Sequence, residues 1–191
     1  MNNLLNKQLK QKINNKNVQV LLGLSSTPCH GQWLSCRVVL DGTVVFNDVV
    51  EGYKELQFEK TCENSKTSLS IIIDSKGDNG TSTDSAGNIL ENQSISITTC
   101  KINGANIIDN GYIYKGTYTM VLDEDKQKHY KELGYKLEHN DYKFYENGTW
   151  TLELPVPTLA GIIKSVRQME EYETVYYSDI IDEIVERIDQ V

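Results

Sequence analysis

The sequence predicts a mainly β protein: an antiparallel β-sandwich of jelly-roll type with short helices and a helical C-terminal arm. Three observations predict it. LSIIID (69–74) and SISITTCKI (94–102) are short, Ile-rich runs joined by a long acidic, Gly/Asn-rich loop. Asp41-Gly42 stands between WLSCRVVL (33–40) and TVVFNDVV (43–50), and a two-residue hairpin turn needs residues that accept positive φ at both central positions. Further short runs follow with turn residues between them, and neither an internal repeat nor a βα alternation is present, which favours a sandwich over a parallel sheet.

The elements follow in order. Residues 1–17 read as an N-terminal arm or short helix, because Leu4, Leu5, Leu9 and Ile13 recur at helical spacing before Asn14, Asn15 and Asn17 end the pattern. The sandwich domain spans 18–157. VQVLLGL (18–24) is a strand, and Pro28 and Gly31 break the chain after it. In YKELQFEK (53–60) Leu56 and Phe58 turn inward, as in a half-buried antiparallel strand. Ile71 and Ile73 share one face of their strand; Ile95, Ile97 and Thr99 share one face of theirs. Asn103-Gly104 is a further turn. GYIYKGTYTMVL (111–122) reads as a strand, with Tyr112, Tyr114 and Tyr118 on one side as a surface for sugar stacking or as sheet cover. DEDKQKHYKELG (123–134) reads as a helix capped by Asp123 and stopped by Gly134. YKFYENGTWTLEL (142–154) reads as a hairpin turning at Asn147-Gly148, with Trp150, Leu152 and Leu154 on one face.

Pro155 and Pro157 mark the start of the helical C-terminal arm, 158–191. In its last helix Ile180, Ile181, Ile184, Val185 and Ile188 form an apolar stripe with charges opposite, and Ser178 caps it. The stripe docks either on the sandwich or on another subunit.

The 191 residues carry a formal charge of −8. An acidic surface repels phosphate, so nucleic acid and anionic membranes are excluded as partners. No apolar run reaches the length of about 18 residues that a membrane span needs. The N-terminus lacks the apolar core of a signal peptide, which predicts a protein kept in a reducing cytoplasm. Cys29, Cys36, Cys62 and Cys100 show no zinc-ribbon spacing, and Cys36 and Cys100 lie in apolar strands as small buried side chains.

No catalytic residue emerges. There is no G-x-S-x-G, no HExxH and no phosphate-binding glycine loop, and His30, His129 and His139 fall on loops or a solvated helix. The 74–91 loop is the one candidate site. Asp74, Asp78, Asp84 and Glu91 supply hard oxygens of the kind Ca²⁺ takes, about six to eight at a time. The spacing is not that of an EF-hand. The bland alternative is a solvated polar loop.

The run Val38-Val39-Leu40-Asp41-Gly42, the strand ending in IIID, the Asp/Asn-rich loop, Glu91-Asn92-Gln93 and the strand closing in Ile102-Asn103-Gly104 together resemble the calcium-dependent, xylan-binding type of carbohydrate-binding module. The likeness covers about residues 34–108. It implies a jelly-roll sandwich with calcium on Asp74 or Asp78 and on Glu91, and a glycan partner; the arginine of that family's second motif is Asn92 here. The whole-chain pattern, a sandwich followed by an Asn-Gly-Thr-Trp strand and a Pro-flanked exit, is similar to small structural proteins of tailed bacteriophages. That second likeness implies a non-enzymatic virion component of head, tail or fibre, assembled in the host cytoplasm. Its partners would be other virion proteins or further copies of itself, met through the terminal arms. The virion role is the first expectation, and a calcium-dependent carbohydrate-binding module is its alternative.

Overall fold

The computed structural model describes residues 16–170, with side chains described to Arg167. Along the chain come β1 (Asn17–Thr27), β2 (Ser35–Leu40), β3 (Thr43–Val49), β4 (Tyr53–Thr61), β5 (Lys66–Ile73), β6 (Thr81–Thr83), β7 (Ile89–Asn92), β8 (Ser94–Ile102) and β9 (Ala105–Asn106). After these come β10 (Thr117–Met120), α1 (Glu124–Glu132), β11 (Glu138–His139), β12 (Lys143–Phe144), β13 (Gly148–Pro155) and α2 (Thr158–Glu170). Two antiparallel sheets form the body. One runs β12-β8-β1-β4, with β9 added to β8; the other runs β11-β10-β13-β5-β2-β3. The β6–β7 hairpin stands apart, within the connection that carries the chain from β5 in one sheet to β8 in the other.

The core follows from period-2 alternation. Val18, Val20, Leu22 and Leu24 of β1 face Val38 and Leu40 of β2, Leu69, Ile71 and Ile73 of β5, and Trp150, Leu152 and Leu154 of β13 in one continuous buried cluster. Each of these aliphatic side chains contributes about 1.5–3 kcal/mol when fully removed from water. The Asp41-Gly42 turn is as predicted: φ is 49° and 73° at the two positions, and β2 pairs with β3 across it. Asn103-Gly104 turns in the same way, at 49° and 87°. Cys36 and Cys100 are buried and free, and burial pushes both thiols up to about 12.

Three local expectations are corrected. Thr99 does not share the inward face of Ile95 and Ile97. A bulge opposite Gly23 and Leu24 leaves Thr98 over, so the inward positions of β8 shift to Cys100 and Ile102. Gly23 suits that bulge, since a Cβ there would fall 3.0 Å from Thr99 Cβ. The 111–122 run is not one strand: Gly111, at φ 73°, starts a 3-10 turn over Tyr112–Lys115, and only Thr117–Met120 is extended. Finally, Asn147-Gly148 is no hairpin turn. Neither residue has positive φ, β12 pairs with β8, and β13 pairs with β10 and β5. Gly148 is required for close approach instead, because a Cβ would lie 2.8 Å from Tyr118 Cζ.

At the C-terminal end the first helix of the predicted arm belongs to the body. Ile162 and Val166 of α2 are members of the core cluster, and Ala160 is buried with them. Residues 1–15 of the predicted 1–17 arm, and the stripe of Ile180, Ile181, Ile184, Val185 and Ile188, lie outside the described residues; Asn17 already belongs to β1. Among the described residues no helix is long and apolar enough to cross a membrane.

Candidate functional site

The four acids of the 74–91 connection each have a local fate. Asp74 directly follows β5 and meets Arg37 of the neighbouring β2 at 2.7 Å. Asp78, itself exposed, opens the 3-10 turn Asp78–Gly80, whose Gly80 is buried. Asp84 closes the β6–β7 turn on itself: one oxygen accepts the Ala86 and Asn88 amides at 2.9 and 2.8 Å, the other the Asn88 side-chain amide at 2.9 Å. These hydrogen bonds, that of the Asn88 side chain foremost, hold its carboxyl below the ordinary aspartate value. Glu91 accepts the His30 backbone amide at 2.7 Å. Among the described residues, no three of these four carboxylates come within 4.8 Å of one another. Calcium takes about six to eight oxygens, and these four carboxylates do not by themselves converge to supply them. Arg37, the Asp84 turn and the His30 amide orient three of the four, each at a different point of the connection.

Oxygens do converge nearby, but on an ammonium. The Lys76 side chain is only 5% exposed. Its Nζ donates to Asn92 Oδ1 at 2.7 Å and to the Tyr145 carbonyl, and lies 3.8 Å from Glu146 Oε1. Asn147 fixes the backbone of the same residue, accepting the Lys76 amide at 2.9 Å and donating to the Lys76 carbonyl at 2.8 Å. Burial lowers the Lys76 ammonium below its ordinary value, with Glu146 opposing. The loop's internal cation thus joins β7 to the segment between β12 and β13.

That segment forms one wall of a groove of about 760 Å³, within the size range of small-ligand sites. Local chemistry places each wall. Asp123 caps α1 by accepting the Lys126 amide at 2.8 Å. At the other end Gly134, at φ 77°, allows a Schellman stop: its amide donates to Lys131 O at 3.0 Å, and the Tyr135 amide to Tyr130 O at 2.9 Å. This sets the rings of Tyr130 and Tyr135 5.7 Å apart. Tyr118 is the floor, buried beneath His139 at 5.2 Å and Phe144 at 4.7 Å, with its hydroxyl donating to the Glu146 carbonyl. Burial raises that phenol well above its ordinary value. Tyr114, Tyr135 and Tyr145 line the groove and are 54%, 62% and 43% exposed as residues. Glu138, Asn140, Asp141, Lys136 and Lys143 surround them. Asn140 is fixed by donating to Gly116 O at 3.0 Å, and Asp141 by accepting the Tyr142 amide at 2.7 Å.

Of the three tyrosines the sequence singled out, Tyr114 and Tyr118 reach the groove. Tyr112 does not: it is buried elsewhere, with its hydroxyl donating to Glu153 O at 3.3 Å. Tyr130, Tyr135 and Tyr145 were missed. The helix stop at Gly134 was the available signal for the first two, and nothing local pointed to Tyr145.

Two solved structures resemble this one. The first is described as vCBM60 in complex with galactobiose: TM-score 0.39, 10% identity, 70% of this chain covered and 96% of that one. The second is a selenomethionine form of vCBM60, described within work on two families of calcium-dependent carbohydrate-binding modules: TM-score 0.38, 9% identity, 71% and 89% covered. No protein-family model and no curated protein matches the chain. Nothing in these comparisons supports a virion origin.

Proposed function

We propose that this chain is a non-catalytic glycan-binding module that takes a neutral oligosaccharide in the tyrosine groove, without calcium. One observation carries the reading: the exposed rings of Tyr114, Tyr135 and Tyr145 line a single groove among fixed amide and carboxylate groups. A pyranose ring has apolar C–H faces and a rim of hydroxyls. The first stack on aromatic faces, and the second need acceptors and donors held in place. Asn140 and Asp141 are such groups, oriented by the hydrogen bonds described above. The groove's charges are of both signs, with Glu138, Asp141 and Glu146 against Lys136 and Lys143, which suits an uncharged ligand.

The test is affinity electrophoresis and calorimetry on the full chain with galactobiose, xylo-oligosaccharides and a panel of neutral polysaccharides, in EDTA and in calcium. The expected result is retention by at least one neutral glycan, equal in both buffers and reduced about tenfold or more by Tyr135→Ala or Tyr145→Ala, as loss of a stacked aromatic costs about 1.4 kcal/mol or more. Absence of retention by the whole panel, or retention indifferent to both substitutions, refutes the groove. Retention abolished by EDTA refutes its calcium independence.

A further inference from the structure

Away from the groove, the chain between β1 and β2 folds back in a two-residue turn. Cys29 and Gln32 exchange backbone hydrogen bonds of 3.1 and 2.9 Å, and His30 and Gly31 between them have φ of 51° and 70°. Gly31 takes that conformation freely, and His is among the few other residues that do so with some frequency. The turn is tied down twice more. Gln93 Nε2 donates to Gln32 O at 2.8 Å, and the His30 amide donates to Glu91 Oε2 at 2.7 Å, across 61 positions of sequence. The consequence is a thiol, an imidazole and a carboxylate whose ligand atoms all lie within 4.8 Å of one another. His30 Nδ1 and Glu91 Oε2 are 3.8 Å apart.

We propose that Cys29, His30 and Glu91 form an open three-ligand site for a divalent transition metal of the zinc class. The donor set decides the class of ion. Calcium and magnesium take oxygens, whereas thiolate and imidazole select zinc, cobalt and their neighbours. Four-coordinate zinc has bonds of about 2.0–2.3 Å, which puts its donors roughly 3.3–3.8 Å from each other. Closing from the observed spacing therefore requires movement of about 1 Å. The exposed side chains of His30 and Glu91, 63% and 50%, supply it, Glu91 pivoting about its bond to the His30 amide, while buried Cys29 holds the fixed corner. Three protein ligands leave a fourth position for water or for an outside group. Binding displaces the thiol proton, so affinity rises with pH. The site is separate from the tyrosine groove, which none of the three residues lines.

The test uses the reduced, EDTA-stripped full chain and Co²⁺ as the probe. The expected result is a thiolate-to-cobalt charge-transfer band with tetrahedral d–d bands, saturating at about one equivalent and displaced by Zn²⁺ but not by Ca²⁺. Cys29→Ser should abolish the charge-transfer band. Glu91→Gln and His30→Gly, the latter chosen because glycine keeps the turn, should each weaken binding about tenfold or more. No cobalt spectrum in the natural chain overturns the proposal. So does a spectrum without the thiolate band, or a thiolate band that survives Cys29→Ser. The cobalt readout does not depend on glycan, so failure of the glycan test leaves this result standing.

Discussion

Replacing Lys76 by methionine keeps most of the side chain's length and removes its ammonium. The Tyr145 carbonyl then loses the donor described here, while Asn92 Oδ1 keeps the Thr81 hydroxyl at 2.8 Å. The Tyr145 contact is an exposed one, so water can replace the donor and the loss falls at the low end of the about 1–3 kcal/mol that an orphaned acceptor costs. Glu146, its side chain 17% exposed, loses its cation and retains the Tyr130 hydroxyl at 3.4 Å. Breaking a well-made buried pair costs about 3–5 kcal/mol. At 3.8 Å the Lys76–Glu146 pair is a long one, and losing the ammonium also relieves its own desolvation, so only a fraction of that applies. The expected loss is about 2–3 kcal/mol. For a domain of this size that lowers Tm by about 4–12 °C, read by differential scanning calorimetry. Lys76→Met within about 1 °C of the natural chain would refute the reasoning, because the ammonium would then contribute nothing beyond its burial. Millimolar calcium should leave the Tm of the natural chain unchanged. A rise of several degrees would mean that the metal, not Lys76, joins these loops.

Three further outcomes are expected. The Asp84 carboxyl is depressed in the folded protein, so its contribution to the β6–β7 turn is fully present above the ordinary aspartate value of 3.8 and is lost as pH falls through the lower folded value. NMR titration should show the Ala86 and Asn88 amides shifting together below that pH in the natural chain, and Asn88→Ala should move the transition upward; a titration at the ordinary value refutes it. Ile162→Ala, in a helix packed on the core with no exposed surface at that residue, should cost about 2–5 kcal/mol in chemical denaturation. A chain stopped after Pro157 should be insoluble or unfolded. A folded truncated chain of natural stability would show α2 to be dispensable.

Some of this was legible because it is written within a few residues. Asp41-Gly42 turns as expected because both residues tolerate positive φ, and the Asp123 cap and Gly134 stop bound α1 as expected because each acts on backbone groups beside it. Trp150, Leu152 and Leu154 alternate in the sequence and are all buried. The candidate sites were less legible. Glu91 was singled out for calcium with Asp74, Asp78 and Asp84, yet it accepts the His30 amide and lies near Cys29, both of which the sequence places 61 or more positions away.

By itself, then, the sequence determined the class of fold, the positions of its local turns and which face of most strands points inward. These are consequences of period-2 patterning and of short-range backbone preference. Only the tertiary structure decided the rest. Asn-Gly reads as a turn at 103–104 and as a close packing point at 147–148, because at the second site Tyr118 presses against the glycine. An acidic, calcium-like loop became a Lys76-centred junction because the register of β8, β12 and β13 brings the Tyr145 carbonyl and Glu146 to it. Tyrosines from a 3-10 turn, a helix stop and a strand connection share a groove for the same reason. Long-range register sets which loops meet, and no window of neighbouring residues contains it.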